Sequence, residues 1–338
     1  MTQQAKTAVL LLNTGSPDHP TTESVREYLA EFLADPRVVE LPRWKWWPIL
    51  HGIILRKRPA KSAARYQGVW MEEGAPLVVY TKRTVKKLQA AVSAKHPDVR
   101  IYWAMCYGHP SLTEVIEEIQ KDKIERLLVM PLFAQYAPQT TASCFDAVAH
   151  QLMKCRNIPS LRMTHDYHDH PAYIEALRRR VADYWAEHGT PMADGGKLLL
   201  SFHGVPESCV KEKGDIYQAQ CLETARLLVE ALKLKEGEWE LSFQSRFGPE
   251  EWLQPYSVDT AKRLGEEGLP RLDVICPGFA ADCLETIEEI ADELCGIYRS
   301  AIPAGKKGDF RYIPALNDSE PAVAAYLEIL EKELAGWI

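Results

Sequence analysis

The stretch LLLSFHGVP, residues 198–206, decides the fold. Its three leucines form a short apolar run, and Gly204 and Pro206 follow as turn residues. Such a run, bounded by turn residues, predicts a buried strand that ends in a loop. His203 then stands at the carboxyl end of the strand, the edge where open α/β sheets bind ligands. Because a lone histidine in a loop more often serves only a hydrogen bond, His203 needs support from other stretches.

Apolar runs alternate with helical patterns along the rest of the chain. The predicted strands are Ala8–Leu12, Arg100–Met105, Arg126–Phe133, Leu161–His165, Lys197–Phe202, Glu240–Gln244, Leu272–Cys276 and Phe310–Ile313. This alternation is typical of parallel sheets that are covered by helices. We therefore predict an α/β protein with two similar Rossmann-type domains, each with a parallel sheet flanked by helices.

The beginning of the chain repeats the deciding stretch. LLLNTGSP, residues 10–17, also opens with three leucines that are followed by a glycine and a proline. Each stretch would be the opening strand of its half. We predict an N-terminal half over residues 1–172, a C-terminal half over 173–316, and a final helix over 317–338 that packs back on the first half.

Composition places the chain among ordinary globular proteins. Of its 338 residues 46% are hydrophobic and 26% charged, and the net charge of −7 gives no global argument for nucleic acid. No apolar stretch approaches the ~20 residues that cross a bilayer. The N-terminal MTQQAKTAVLLLN favours a first strand over a signal peptide. Eight cysteines without a CxxC pair are then most simply reduced thiols, so we expect a cytoplasmic protein.

One early segment departs from the alternation. Between Leu41 and Tyr66 it combines tryptophans at positions 44, 46 and 47 with the cations Arg56, Lys57 and Arg58. A buried helix is the simple interpretation, yet tryptophan beside clustered cations suits an apolar surface with a polar margin. Such a surface could contact a membrane interface or a large apolar ligand whose carboxylates pair with the cations. We call residues 41–66 the lip segment.

The stretch VICPGFAADCLETIEEIADELC, residues 274–295, predicts a strand followed by an amphipathic helix with Asp282 as its N-cap. Glu285, Glu289 and Glu293 recur at i, i+4 and i+8, a like-charge spacing that costs stability in water. A solvated acidic face is the simpler interpretation of this pattern. The alternative is a row of carboxylates that passes a cation or protons towards the strand edge.

Two further stretches carry polar residues. SFQSRFGPEEWLQP, residues 242–255, places Gln244 and Ser245 at a strand end and Trp252 after a Gly-Pro turn, where core packing is the simple interpretation for the tryptophan. Histidines 165, 168 and 170 could chelate a metal, although a solvated loop explains them more simply. No GxGxxG, P-loop or HExxH is present.

Taken together, SFHGVP, QSRFGPEEWLQP and PGFAADCLETIEEI resemble the ferrochelatases, the terminal enzymes of haem synthesis. The likeness covers nearly the whole chain. It includes LLLNTGSP, RKRPAKSAARY, YGHPSLTEVI, FAQYAPQTTAS and ALNDS. The resemblance implies a chelatase-like fold of two Rossmann-type domains with a porphyrin cleft between them. From its composition, we expect the lip segment to be mobile over that cleft.

The resemblance also implies roles for individual residues. His203 matches the catalytic histidine, Glu285 would assist it, and both would contact the metal together with Glu289 and Glu293. The implied porphyrin-binding residues are Thr14, Arg56, Lys57, Arg58, Tyr66, Gln244, Ser245, Trp252 and Asp282.

Three cysteine positions distinguish this chain from many members of that family. Cys106 stands where many have an arginine, and Cys283 stands where histidine or asparagine is frequent. No cysteine follows Cys295, so the C-terminal cysteine group that helps bind a [2Fe–2S] cluster in some members is missing. We expect no such cluster and no other prosthetic group.

The implied reaction is insertion of iron(II) into protoporphyrin IX, with release of two protons, to form protohaem. Imidazole accepts protons near neutral pH and also binds iron, so His203 could abstract a proton, deliver the metal or do both. A related chelatase acting on coproporphyrin or inserting cobalt or nickel remains open, as does a haem or porphyrin carrier, which would need no acidic row. We expect a monomer or homodimer with peripheral contact at the inner membrane and no nucleic-acid partner.

Overall fold

The computed structural model describes residues 6–338, and the first five residues of the predicted N-terminal half lie outside the described part. Contacts between residues divide the chain into two compact units. One unit comprises the chain up to Tyr167 together with Tyr326–Ile338, and the other comprises His168–Ala325. The divisions expected from the sequence, after residues 172 and 316, differ by five and nine residues from the observed ones, after Tyr167 and Ala325.

The first unit contains a parallel sheet of four strands. They are β1 (Thr7–Ser16), β2 (Arg100–Gly108), β3 (Arg126–Pro131) and β4 (Ser160–Met163). The sheet order is β2-β1-β3-β4. Its helices are α1 (Thr22–Ala34), α2 (Arg43–Ile49), α3 (Leu55–Val69), α4 (Pro76–Lys95), α5 (Leu112–Lys121) and α6 (Ser143–Leu152), with π-helical segments at Leu50–Ile54 and Pro138–Ala142.

The second unit repeats this arrangement. Its strands are β5 (Lys197–His203), β6 (Trp239–Gln244), β7 (Arg271–Ile275) and β8 (Asp309–Ile313). They are parallel and lie in the order β6-β5-β7-β8. Its helices are α7 (Pro171–His188), α8 (Glu207–Lys211), α9 (Tyr217–Ala231), α10 (Ser257–Glu266), α11 (Leu284–Thr286) and α12 (Cys295–Ala301), with a 3₁₀ turn at Pro191–Asp194 and a π-helix at Ile287–Leu294.

The predicted α/β fold with two Rossmann-type domains is confirmed. Leucines 10–12 and 198–200 are fully buried in β1 and β5, each of which is an inner strand of its sheet. A parallel strand covered on both faces must be apolar at every position, which explains why these runs do not alternate with polar residues. In each sheet the second strand pairs on one side of the opening strand and the third strand pairs on the other side. The carboxyl end of the opening strand is therefore at the position where α/β proteins bind ligands.

The lip segment is helical in the structure. It comprises α2, the π-helical segment that follows Pro48, and most of α3. Its tryptophans do not share one environment, because Trp46 is buried and donates its indole N–H to the Leu33 carbonyl (2.7 Å). Trp44 and Trp47 are 74% and 46% exposed. Along residues 6–338, no helix combines the length and the apolar character that crossing a membrane requires.

The last helix, α13 (Glu320–Glu333), carries the chain back to the first unit. Arg162 of β4 donates to the carbonyls of Glu333 and Ala335, and its guanidinium lies 4.2 Å from the centre of the Trp337 ring. Leu330 is fully buried on the same helix. The end of the chain is therefore fixed to an edge strand by hydrogen bonds as well as by apolar packing.

Candidate active site

His203 ends β5, paired in register with Gln244 at the end of β6. Its Nδ1–H donates to the Gly204 carbonyl (2.6 Å), because a carbonyl can only accept. In the neutral ring, Nε2 therefore carries the free lone pair. The rings of Trp252 and Phe279 lie 6.3 and 6.5 Å from the imidazole, centre to centre. Phe279 was not singled out from the sequence, although it stands in the quoted PGF motif.

Glycine at position 204 permits this close arrangement. A Cβ atom built there would lie 2.9 Å from the Gln244 carbonyl oxygen and 3.1 Å from the Trp252 ring. Both contacts are tighter than ordinary packing, so a larger residue would displace the strand end or the tryptophan. The turn residue that ends the deciding stretch thus also fixes how closely β6 and Trp252 approach His203.

Gln244 supports the acidic helix from the end of β6. Its Oε1 accepts from the buried Ser201 hydroxyl (2.8 Å), and its Nε2 donates to the backbone carbonyl of Glu285 (2.8 Å). The side chain is only 3% exposed. Both ends of the amide therefore bond inside the unit and link β6 to β5 and to the acidic helix. Porphyrin contact by Gln244 stays a prediction.

Ser245, the next residue, holds Glu289. Its backbone N–H donates to Glu289 Oε1 (2.6 Å) and its hydroxyl donates to Oε2 (2.7 Å). Ser245 has a φ of +65°, a left-handed conformation that is uncommon for residues other than glycine. Such conformations persist where surrounding contacts compensate their cost, and they are frequent at functional sites. Here both donors of one residue engage the two oxygens of one carboxylate.

The acidic row lies on a helix whose winding changes. Glu285 stands in the short helix α11, whereas Glu289 and Glu293 stand in the π-helix Ile287–Leu294. Glu289 is half-buried, and burial raises its pKa, an effect that the Ser245 hydrogen bond and the nearby His203 oppose. The negative charge of Glu285 raises it further. Glu293 is exposed. The predicted helix is present, but the sequence pattern did not reveal its π-helical winding.

Asp282 holds the start of this helix by hydrogen bonds to residues of the helix, of β8 and of the segment after β8. Its carboxylate accepts from the hydroxyls of Thr286 (3.0 Å) and Tyr312 (2.6 Å) and from the Asn317 amide (2.6 Å). The side chain is 4% exposed. The expected N-cap role was wrong by one residue, because Cys283 occupies that position. Both carboxylate oxygens of Asp282 thus accept hydrogen bonds that fix the start of the helix, and porphyrin contact by Asp282 stays a prediction.

The remaining predicted porphyrin contacts lie in the first unit. Thr14 is half-buried near the end of β1, and Arg56 and Lys57 are exposed on α3. Arg58 is half-buried, which lowers the pKa of its guanidinium. Tyr66 is buried with its ring against Trp70, centre to centre 6.2 Å, so it contributes to packing of the lip segment. Porphyrin contact by Tyr66 stays a prediction.

The loop histidines His165 and His170 make identifiable contacts within the fold. His165 stacks on Tyr136, with ring centres 4.2 Å apart, and bonds Asp166 (2.5 Å). His170 precedes α7, and its Nδ1 accepts from the backbone N–H of Ala172 at the start of that helix. Hydrogen bonding and capping thus explain His165 and His170, in agreement with the simpler interpretation of this stretch.

Comparison with solved structures shows which known fold the chain shares. SirB from Bacillus subtilis, solved with Fe3+, matches with a TM-score of 0.57 at 12% identity and covers 98% of this chain and 96% of that one. DR2241 from Deinococcus radiodurans, described as structurally similar to chelatases, gives a TM-score of 0.52 and covers 96% of this chain and 54% of that one. The fold is that of the chelatases.

Comparison of sequences identifies the family. A family sequence model described as Ferrochelatase matches residues 6–334. Ferrochelatase of Bordetella pertussis is 46% identical over 332 residues, 98% of this chain and 89% of that relative. Ferrochelatase of Nitrosococcus oceani is 47% identical over 333 residues, 98% and 88% of the two chains. The chain belongs to the ferrochelatase family and is a metal chelatase of the lyase class, in the metal-insertion chemistry of haem biosynthesis.

Proposed function

We propose that this chelatase inserts iron(II) into protoporphyrin IX and forms protohaem, with release of two protons. The observation that carries the proposal is the hydrogen bond from His203 Nδ1 to the Gly204 carbonyl, which directs the free lone pair to Nε2. An imidazole lone pair accepts a proton near neutral pH and also ligates iron. Glu289, whose pKa responds to His203, supplies a carboxylate near it.

The chemistry requires both a proton acceptor and a route for charge. In the free porphyrin two of the four ring nitrogens hold protons, and the planar ring hides the lone pairs of the others. We assign proton abstraction, metal delivery or both to His203, with Glu285 assisting it. Glu289 and the exposed Glu293 would form the outer path. Binding energy from the ring periphery would bend the macrocycle and expose its nitrogens.

The periphery would be recognised by apolar contact and by charge. Trp252 presents a large ring beside His203, and its indole nitrogen is buried without a hydrogen-bond partner. On the first unit, Arg56, Lys57 and Arg58 would pair with the propionates, and Thr14 would contact the ring. Charge-assisted bonds to carboxylates are the stronger kind, which favours this role for the cations.

Anaerobic incubation of iron(II) and protoporphyrin IX with substoichiometric protein tests the proposal. Loss of the free-porphyrin absorbance bands over many equivalents means turnover, whereas a spectral shift limited to one equivalent means a carrier. Parallel reactions with coproporphyrin, cobalt(II) and nickel(II) separate the related chelatase activities. Turnover of coproporphyrin or of another metal without turnover of iron(II) and protoporphyrin IX would show that the proposed substrates are wrong.

We also propose that the lip segment makes peripheral contact with a membrane surface. Trp44 and Trp47 are exposed, and the cations of Lys45 and Arg43 lie 5.1 and 5.3 Å from their ring centres. Aromatic rings beside cations suit the interface of an anionic membrane. The substrate is large and apolar, so receiving it at a membrane would spare it from water.

Co-sedimentation with anionic vesicles tests the membrane proposal. Replacing Trp44 and Trp47 with serine should reduce the bound fraction and weaken porphyrin capture, while the circular dichroism spectrum stays unchanged. Phe145→Ser is the matched control, because Phe145 is 49% exposed outside the lip segment. Equal binding by all three proteins would contradict the proposal.

A further inference from the structure

Cys106 and Cys144 bring their sulfur atoms to 2.9 Å in the first unit. Cys106 is half-buried near the end of β2, whereas Cys144 is 1% exposed in the first turn of α6. A disulfide bond is about 2.05 Å long, so one sulfur has to move by roughly 0.9 Å to reach bonding distance. The proposed metal insertion uses neither thiol.

A second connection holds the two cysteines in this arrangement. Tyr107, which follows Cys106 on β2, donates its hydroxyl proton to Asp35 (2.7 Å). Ser143, which precedes Cys144 on α6, also donates to Asp35, and the two hydroxyl oxygens lie 2.7 Å apart. One carboxylate therefore joins the end of β2 to the start of α6 directly beside the thiols. The proximity of the two sulfur atoms therefore depends on the backbone positions of β2 and α6, which these hydrogen bonds hold together, and not only on the side-chain conformations of the cysteines.

The two thiols differ in their exposure to solvent and in their environment. The hydrogen bond with Cys106, followed by burial, raises the pKa of the Cys144 thiol well above its ordinary value. Because Cys144 is only 1% exposed, an oxidant from solvent reaches the half-buried Cys106 first. This is the arrangement of an attacked thiol with a resolving thiol beside it.

We propose that Cys106 and Cys144 form a reversible disulfide when the protein meets a hydroperoxide. The Cys106 sulfur attacks the peroxide, an S–O bond forms, the O–O bond breaks, and an alcohol or water leaves. The Cys144 sulfur then attacks Cys106, the S–S bond forms, and the oxygen leaves as water with the proton of Cys144. Two thiols are oxidised and one peroxide is reduced. A dithiol reductant such as dithiothreitol returns both cysteines to free thiols by thiol–disulfide exchange.

Peptide mapping of the full-length protein tests the proposal. The folded chain is treated with hydrogen peroxide, remaining thiols are blocked with N-ethylmaleimide, and the digest is analysed by mass spectrometry. We expect one cross-linked peptide pair that contains Cys106 and Cys144 and that disappears after dithiothreitol. Separate alkylation of both cysteines, over the peroxide doses that the fold survives, would overturn the proposal. A cross-link that joins other cysteines instead would do the same.

Three variants show which thiol reacts first. In Cys144→Ala, Cys106 should accumulate as a sulfenic acid that dimedone traps, because its resolving thiol is gone. In Cys106→Ala, neither cross-link nor dimedone adduct should form, and this change at a half-buried position keeps the test open if Cys144→Ala does not fold. Cys155→Ser, at another half-buried cysteine, should leave the cross-link unchanged. Dimedone labelling of Cys144 in Cys106→Ala would contradict the order of attack.

Discussion

At the scale of single residues, the sequence indicated His203 because it ends a buried apolar run. It could not indicate which ring nitrogen is free, since that depends on the backbone carbonyl of Gly204, which folds back on the ring. Likewise, the sequence could not indicate that the side chains of Gln244 and Asp282, both predicted to contact the porphyrin, are buried and hydrogen-bonded within the protein. A polar residue near a site can contact a ligand or support another residue, and only its depth in the fold separates the two.

Replacing His203 by alanine should abolish metal insertion while porphyrin affinity stays within about tenfold, which is about 1.4 kcal/mol. Ring binding rests on apolar and charged contacts with several residues, whereas the proposed proton transfer needs this imidazole. Turnover and porphyrin fluorescence titration measure the two quantities. His165→Ala is the control, because His165 is exposed and stacks on Tyr136 in the other unit. Near-normal turnover of His203→Ala would show that His203 neither abstracts the proton nor delivers the metal.

Replacing Ser245 by alanine should raise the KM for iron(II) more than it changes porphyrin affinity. The change removes one of the two donors to the Glu289 carboxylate and keeps the backbone N–H. Hydrogen bonds to charged groups contribute about 1.5–3 kcal/mol, so we expect about a tenfold or larger loss in kcat/KM for iron. Initial rates at varied iron and varied porphyrin measure it.

The double variant makes the Ser245 prediction specific. In a Glu289→Gln background, Ser245→Ala should add little to the loss, because both changes act through the same carboxylate. Additive losses, or a loss of porphyrin affinity without a change in the KM for iron, would instead favour direct contact of Ser245 with the porphyrin.

At the scale of elements, the acidic helix shows what a sequence pattern can miss. The i, i+4, i+8 spacing of its carboxylates and its apolar face correctly predicted a helix after β7. The same residues fit an α-helix and a π-helix, because a spacing of charged and apolar positions does not specify the backbone hydrogen-bond pattern. Asp282 and Gln244, which bond to Thr286 and to the Glu285 carbonyl, hold the start of the helix. π-Helical segments are frequent at functional sites, which agrees with the position of Glu289.

The acidic row should not act uniformly. Glu289→Gln should slow turnover markedly, since Glu289 is half-buried and held by Ser245, whereas exposed Glu293→Gln should slow it less. Neither change should unfold the helix, because glutamine keeps the helix propensity and removes a like-charge repulsion of about 0.2–0.5 kcal/mol. Turnover and urea denaturation of each variant measure the two effects. Unchanged turnover with higher stability in both would favour a solvated acidic face.

At the scale of the whole molecule, the sequence predicted the two similar halves better than the environment of individual residues. The two leucine runs led to the opening strands of two sheets with the same strand order. The alternation of apolar runs with helical patterns identified the eight strands of residues 6–338. The inner strands β1 and β5 gave the clearest signal, because buried parallel strands leave continuous apolar segments. The burial of the lip segment was harder to predict from the sequence. Trp46 is buried whereas Trp44 and Trp47 are exposed, although all three are tryptophans within four residues of one another. Side-chain direction along an irregular helix is decided by tertiary packing.

The end of the chain should stabilise the first unit mainly through apolar packing, with a smaller contribution from charge. Leu330 of α13 is fully buried, so Leu330→Ala should cost about 2–5 kcal/mol of the free energy of unfolding. Glu331 lies 2.9 Å from the Lys95 amine and 3.1 Å from the His96 ring, both of the first unit, and it is partly exposed. Glu331→Gln should therefore cost only about 0.2–1 kcal/mol. Urea denaturation measures both changes.

The pH dependence separates the two contributions of α13. The hydrogen bond from Lys95 lowers the pKa of Glu331, so the folded state favours the ionised carboxylate. That stability is fully present above the ordinary glutamate pKa of about 4.3 and is lost as the pH falls through the lowered value. The difference between the wild type and Glu331→Gln should therefore shrink in acid, while the cost of Leu330→Ala persists. A Glu331→Gln difference that stays constant from neutral to acid pH would show that the ion pair contributes nothing to the attachment of α13.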